Sequence, residues 1–311
     1  MASDGYLRFP HLHADLLTFV ADDDVWLAPA DGGRAWRLSA DRARASYPRL
    51  AHDGQTVAWT SQRDGVPDVC QADLGGGVAR RVTFWGDEST RVTGWSPDGE
   101  LLAVTAYGQP FSHYTWAHAV RPEDGAFQRL PFGPVSDLAI EPAAVALLTG
   151  RHRREPAFWK RYRGGTAGRL WVARRGAGSG SPGDEPLRFA RVAEDLPGQL
   201  AGPMIVGGRL VFLADHEGTG NLYSCALDGT GLRRHTDHDG FYARNPSTDG
   251  RRIVYHCAGD IWILDDLDSQ ARPLDVRLAS PIVGRSTRLI SAEDHLGDLS
   301  CPVTTPARPA R

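Results

Sequence analysis

The sequence has few of the residues that would indicate a metal site, a redox pair or a membrane span. Its 311 residues include only four cysteines, none in a Cys-x-x-Cys pair, which argues against zinc binding and dithiol chemistry. Cys70, Cys225 and Cys257 lie in strand-like runs and are predicted to be small buried hydrophobes. The N-terminus lacks the pattern of a signal peptide, and no apolar run is long enough to cross a membrane. These absences predict a cytoplasmic protein without a membrane partner.

Catalytic motifs are also missing, and the charge is nearly balanced. The formal net charge is −3, so no overall positive field attracts nucleic acid. There is no Gly-x-Ser-x-Gly elbow, phosphate-binding loop or His-Glu-x-x-His motif. We therefore assign no catalytic residue, no metal and no cofactor, and we predict no nucleic-acid partner.

Turn residues, in contrast, are abundant and recur in a pattern. The chain has 35 glycines and 21 prolines. The segment DGRRIVYHCAGDIWIL, residues 249–264, reads as turn, short strand, turn and short strand. Looser copies of it occur along the chain. A third-strand motif recurs near residues 25, 68, 115, 169, 221 and 260, and a closing motif (WRLS, RRVT, QRLP, ARVA, RRHT, RPLD) follows each copy.

These markers define six units, and successive units are mostly about 39 to 48 residues apart. Four short strands per unit at this period are typical of a β-propeller blade. We predict an all-β, six-bladed β-propeller of four-stranded antiparallel blades from about Leu7 to Val276. Units one and six each contain their own four strands, which predicts an open ring without a shared closing strand. We further expect no backbone pairing between the first and last blades, and a fully buried Trp262 at that junction.

The connection over residues 151–169 in the fourth unit is strongly basic. It holds seven Lys or Arg residues against one acid, with three aromatics among them. Arginine offers a planar set of donors that fits carboxylates, so this loop is a candidate ligand site. Two alternatives remain: a solvated loop whose aromatics pack on neighbouring blades, and single-stranded nucleic acid stacked on those aromatics. The negative net charge disfavours the last.

A second candidate site is the run His11-Leu12-His13-Ala14-Asp15. In a β-strand, His11, His13 and Asp15 share one face and would converge on a metal ion. The same run is also the first strand and turn of blade one. Structural histidines are therefore the favoured interpretation.

Specific segments resemble the N-terminal propeller of the tricorn core proteases. They are HADLLTFVADDDVWLAPADGG near the N-terminus, WKRYRGGTAG in the basic connection, and the run LADHEGTGNLYSCALDGTGLRRHTDHDGFYAR. The similarity extends over residues 6–278. It implies a six-bladed open-ring propeller at the front of a large cytosolic serine peptidase that trims oligopeptides and assembles as a hexamer. The catalytic residues of that family lie in later domains, beyond a second propeller and a PDZ-like module.

The resemblance also implies where peptides bind. Family members hold the C-terminal carboxylate of a substrate with basic residues of this propeller, and Arg91 is the best match here. Lys160, Arg161 and Arg163 match the basic loop of the family. We therefore predict substrate binding by these four residues. The propeller would form a channel for peptide passage and would contact the remaining domains or subunits of a tricorn-type hexamer.

The C-terminal residues 279–311 have no blade markers. We predict a tail that is disordered or truncated, following a propeller domain over residues 6–278. The alternative function is a stand-alone propeller, TolB-like in its blade pattern, that acts as a protein–protein interaction module.

Overall fold

The structure is a computed structural model that describes residues 6–41, 43–75, 78–150, 156–175 and 187–278. These residues form 25 β-strands and a 3₁₀ turn, Pro156–Phe158. The described part of the chain holds no helix with the length and apolarity that a membrane span needs. The predicted tail, 279–311, lies outside the described residues.

The strands form six blades of four antiparallel strands in chain order, the first of which gains a fifth, parallel strand, and this confirms the predicted propeller. The strands of the first three blades are β1 (Arg8–His13), β2 (Leu16–Ala21), β3 (Asp24–Pro29), β4 (Gly33–Arg37); β5 (Ala45–Leu50), β6 (Thr56–Ser61), β7 (Asp68–Asp73), β8 (Arg80–Arg81); and β9 (Arg91–Trp95), β10 (Leu101–Thr105), β11 (Trp116–Val120), β12 (Phe127–Pro134). Those of the last three are β13 (Asp137–Glu141), β14 (Ala144–Thr149), β15 (Arg169–Arg174), β16 (Ala190–Val192); β17 (Leu200–Val206), β18 (Arg209–Ala214), β19 (Asn221–Ala226), β20 (Arg233–Arg234); and β21 (Arg244–Thr248), β22 (Ile253–Cys257), β23 (Asp260–Leu264), β24 (Arg272–Pro273). A further short strand, β25 (Val276–Leu278), follows the sixth blade.

The core is divided into six hydrophobic clusters, one at each junction between neighbouring blades. The second strand of every blade is almost completely buried, because its two faces contribute to two clusters. In β22, for example, Val254 packs between blades six and one, whereas Ile253 and Tyr255 pack between blades five and six. This alternation follows from the two-residue period of a strand. It explains why these strands read as continuous apolar runs.

The closing motif of a unit carries a buried hydrogen-bonding residue. In blade two, the Thr83 hydroxyl accepts a hydrogen bond from the Val69 amide at 3.0 Å and donates one to Asp68 Oδ1 at 2.8 Å. The same arrangement fastens the fourth strand to the start of the third strand in two other blades. The corresponding pairs are Ser39 with Asp24 in blade one and Thr236 with Asn221 in blade five.

The junction between the last and first blades agrees with the prediction in one respect and differs in another. Each blade is built from one contiguous segment, so the predicted open ring without a shared closing strand is confirmed. The expectation that no backbone pairing would cross this junction was wrong. After blade six, β25 pairs in parallel with β4, with Val276 opposite Gly33 and Leu278 opposite Ala35.

Two local features make this pairing possible. Gly32 and Gly33 have no side chain, and the Gly33 amide donates to the Asp275 carbonyl at 2.7 Å. A Cβ on Gly32 would lie 2.9 Å from that carbonyl oxygen, so any other residue would push the chain away. Across the same junction, the Leu7 amide donates to the Gly259 carbonyl at 2.8 Å.

Trp262 is partly exposed, so the prediction of a fully buried side chain was also wrong. On its outer side, β23 pairs only with the two-residue strand β24, opposite Pro273. Such a short strand covers little of the indole. The ring is nevertheless held in place by His238, whose ring centroid lies 4.9 Å away in an edge contact.

Candidate functional site

A central cavity of about 550 Å³ lies among the first strands of the six blades. Every blade contributes to its wall, and arginines dominate its charge. Five arginines and two acids line it: Arg8, Arg44, Arg49, Arg91, Arg244, Glu88 and Asp137. The cavity therefore has an excess of positive charge although the whole chain is slightly negative.

The wall is shaped by a bulge that recurs in the first strand of four blades. A residue with positive φ precedes a proline in each, and the pairing register of the strand shifts at that point. A bulge adds a residue to one strand and redirects its side chains. The four bulge residues all line the cavity; they are Phe9, Tyr47, Gly202 and Asn245, with φ of 52°, 51°, 58° and 46°.

Arg49 and Arg91 link neighbouring blades within the wall. Buried Arg49 donates from Nε to the Thr93 carbonyl at 3.1 Å and from Nη1 to the Pro48 carbonyl at 2.9 Å. Burial lowers the pKa of Arg49 to about 10. This value is still well above neutral pH, and the guanidinium therefore remains charged. Arg91 donates to the Ser136 carbonyl and lies 3.3 Å from the Asp137 carboxylate. The predicted residue Arg91 thus lines the cavity and bridges blades three and four.

Arg8 and Arg244 stand at the junction between blades one and six. Arg8 Nη2 donates to the Asp23 carboxylate at 3.0 Å. Arg244 Nη1 donates to the Tyr6 hydroxyl at 3.3 Å, and its guanidinium lies 5.3 Å from the centroid of the Phe158 ring. Pro156 and Phe158 are the residues of the basic connection that line the cavity.

The three predicted residues of the basic connection are exposed, and they are not part of the cavity lining. Lys160 Nζ lies 5.2 Å from the centroid of the Tyr242 ring. The Arg161 amide donates to the carboxylate of buried Asp215 at 2.6 Å, which attaches the loop to blade five. Arg163 lines a separate cleft of about 260 Å³, together with Arg169 and Arg191. The structure therefore separates Arg91 from the other predicted residues.

Sequence reasoning missed Arg8, Arg49 and Arg244 as cavity residues. A signal for two of them is present, because Arg8-Phe9-Pro10 and Arg244-Asn245-Pro246 repeat the same Arg-x-Pro pattern in equivalent strands. The proline marks the bulge, and the arginine precedes it. Arg49 follows the proline of its bulge and carries no such signal.

The histidine run in blade one has structural contacts. His11 Nδ1 accepts a hydrogen bond from the Leu50 amide at 3.1 Å, and desolvation holds the His11 pKa well below its usual value. His13 makes an edge contact with the His52 ring at 6.2 Å. Within the described ranges, no group of three or more His, Cys, Asp and Glu side chains is arranged to hold a metal ion.

The cysteines behave as the sequence predicts. Cys70, Cys225 and Cys257 are buried free thiols, each packed in a hydrophobic cluster between two blades. Burial raises the pKa of each thiol to about 11, which leaves it protonated and unreactive at neutral pH. Their predicted role as small buried hydrophobes is confirmed.

A family model and several curated proteins are similar to this chain. The family model described as the tricorn protease N-terminal β-propeller domain matches residues 4–270. A putative tricorn protease homolog 2 of Streptomyces coelicolor is 52% identical over 98% of this chain and 26% of its own length. Tricorn protease homolog 1 of the same organism is 49% identical over 96% of this chain and 27% of its own length.

A solved structure agrees with these relatives. The crystal structure of the tricorn protease superposes with a TM-score of 0.77 at 29% identity, covering 89% of this chain and 27% of that one. The chain thus spans about a quarter of the length of the relatives it matches. Family model, sequence relatives and fold agree, and the chain belongs to the tricorn protease family, matching its N-terminal β-propeller domain.

Proposed function

We propose that this propeller forms a channel for peptides in a tricorn-type serine peptidase and takes no direct part in bond cleavage. The observation that supports this role is the central cavity, where five arginines face two acids. Guanidinium groups bind carboxylates through charge-assisted hydrogen bonds, and every unmodified peptide ends in a carboxylate. A volume of about 550 Å³ admits a few residues of an extended peptide.

The partners follow from the length of the relatives. Because this chain corresponds to about a quarter of their length, hydrolysis would belong to the other domains of such an enzyme. Oligopeptides would pass through the propeller during cytosolic protein degradation. The remaining domains, or neighbouring subunits of a hexamer, would contact the propeller from outside.

Within this channel, Arg91 would anchor the C-terminal carboxylate of the peptide. It is partly buried, lines the cavity and is held in place by Asp137 at 3.3 Å. Lys160, Arg161 and Arg163 are exposed and outside the cavity lining, so their proposed role is to attract peptides electrostatically toward the propeller.

Fluorescence anisotropy with N-terminally labelled peptides tests the proposal. We expect a free-acid peptide to bind about tenfold more tightly than the same peptide with a C-terminal amide. Arg91→Gln should remove most of that difference, whereas Arg121→Gln, on an exposed turn of blade three, should retain it. Equal affinities of acid and amide for the unmodified protein would contradict the anchoring role. A complete lack of peptide binding would contradict the channel.

A further inference from the structure

Two buried hydrogen-bond donors near the cavity have no partner among the described residues. They are Arg8 Nε and His256 Nε2, and both residues line the cavity. His256 is only 1% exposed. Since leaving a buried polar group unsatisfied costs free energy, an unmatched donor in a cavity wall indicates a place where a ligand supplies the acceptor.

The hydrogen-bonding state of His256 follows from its other ring nitrogen. The Phe9 amide donates to His256 Nδ1 at 3.4 Å, so Nδ1 carries no proton. Burial lowers the pKa of His256 to about 3, and the ring is therefore neutral at pH 7. A neutral imidazole with an accepting Nδ1 carries its hydrogen on Nε2. The unmatched atom of His256 is thus a donor, as is Arg8 Nε.

Both donors lie at the junction between blades six and one. The Arg8 guanidinium lies 5.8 Å from the ring centroids of both Tyr6 and Phe9. The His256 ring lies 6.4 Å and 6.1 Å from the same two rings. Arg244 donates to the Tyr6 hydroxyl and adds a second positive charge. The acids of the cavity lining, Glu88 and Asp137, come from the chain around blades three and four.

The geometry points to a carboxylate subsite formed by Arg8, Arg244 and His256, which receives the side chain of an aspartate or glutamate in a peptide within the cavity. An anion is favoured over a neutral oxygen because one unmatched donor belongs to the Arg8 guanidinium and the Arg244 guanidinium lies beside it, against the single nearby carboxylate of Asp23, which pairs with Arg8 Nη2. This subsite rests on the proposed peptide channel and adds a substrate class to it, peptides with acidic side chains. It is separate from Arg91, which lies in the first strand of blade three.

The experiment uses peptides that have no free termini, so that only the side chain differs. Acetylated and C-amidated alanine-rich peptides with one central glutamate or glutamine are titrated into the full chain by isothermal titration calorimetry. We expect the glutamate peptide to bind at least about tenfold more tightly. Arg8→Gln and Arg244→Gln should each remove most of this preference, and exposed Arg121→Gln should retain it.

The outcomes separate this inference from the proposed function. Equal binding of the two blocked peptides, alongside binding of free-acid peptides, overturns the subsite and leaves the channel intact. A preference that persists in both variants also overturns it. Failure of every peptide to bind overturns the channel and the subsite together. Because Arg8 also pairs with Asp23, thermal melts of both variants verify folding, and Arg244→Gln decides the question if Arg8→Gln is unfolded.

Discussion

Single buried side chains hold the blades to the segments that follow them. In blade two, Asp68 Oδ1 accepts hydrogen bonds from the Thr83 hydroxyl and from the Trp85 amide at 3.0 Å. Thr83 in turn accepts from the Val69 amide. Thr83 therefore gives the Val69 amide an acceptor and orients the Asp68 carboxylate. That carboxylate in turn accepts from the Trp85 amide in the connection after blade two. The Ser or Thr of the closing motif is explained by this role and not by exposure to solvent.

The first prediction concerns Thr83→Val, which keeps the shape but removes the hydroxyl. The Val69 amide would be left buried without an acceptor, so we expect the free energy of unfolding to fall by about 1–3 kcal/mol. Urea denaturation measures the change. The control is Thr230→Val on an exposed hairpin turn, with an expected change within about 0.5 kcal/mol. Equal effects at both positions would contradict the role assigned to Thr83.

At the scale of elements, β25 connects the last part of the described chain to the first blade. It pairs with β4 next to Gly32, where the missing side chain leaves room for the Asp275 carbonyl. The hydrophobic cluster of this junction includes Leu274 and Val276 from the same segment. The short strand thus adds backbone and side-chain contacts to an otherwise open ring.

The second prediction compares two glycines in similar conformations. Gly32 has φ of 92° and Gly65 has φ of 106°, so alanine is strained at both positions. Only at Gly32 would the new Cβ meet the Asp275 carbonyl, whereas nothing lies within 4 Å at Gly65. We expect Gly32→Ala to lower the free energy of unfolding by about 1 kcal/mol or more beyond Gly65→Ala. Equal losses in urea denaturation would show that β25 does not stabilise the ring.

At the scale of the whole molecule, buried histidines make the ring sensitive to acid. His256 accepts the Phe9 amide between blades six and one, and His11 accepts the Leu50 amide between blades one and two. Desolvation is the largest cause that lowers both pKa values, that of His256 to about 3. Protonation of either ring would remove a hydrogen bond between blades.

The third prediction is the pH dependence that follows. The unfolded chain binds protons at His256 near pH 6.5, but the folded chain does so only near pH 3, so acid favours unfolding between these values. We expect stability to be constant above about pH 6.5 and to fall below it by about 1.4 kcal/mol per pH unit for each such histidine.

Urea denaturation from pH 7.5 to 4.5 measures this slope. His256→Asn, whose amide oxygen can replace Nδ1 as an acceptor, should reduce the slope, and the exposed His113→Asn should leave it unchanged. An unaltered slope in His256→Asn would contradict the assignment.

The site was only partly predictable from the sequence. Arg91 was identified through its resemblance to a family, and it does line the cavity. Lys160, Arg161 and Arg163 follow from the high charge of the basic connection and its match to the family, but neither determines whether a side chain points into a ring or away from it. Arg8 and Arg244 are more than 230 positions apart in the sequence, and only closure of the ring brings them together around Tyr6 and His256.

The number of blades and the four strands of each blade can be read from the sequence alone, because turns and short apolar runs depend on neighbouring residues. Strand order within a blade is such a local property, repeated six times, and the three buried cysteines lie in apolar strands of this kind. How the first and last blades are joined is seen only in the folded protein. The pairing of β25 with β4 depends on Gly33, which is remote in the sequence, and the partial exposure of Trp262 depends on how little of blade six β24 covers. Such contacts depend on how complete blades pack against each other, and a short sequence pattern does not predict that packing.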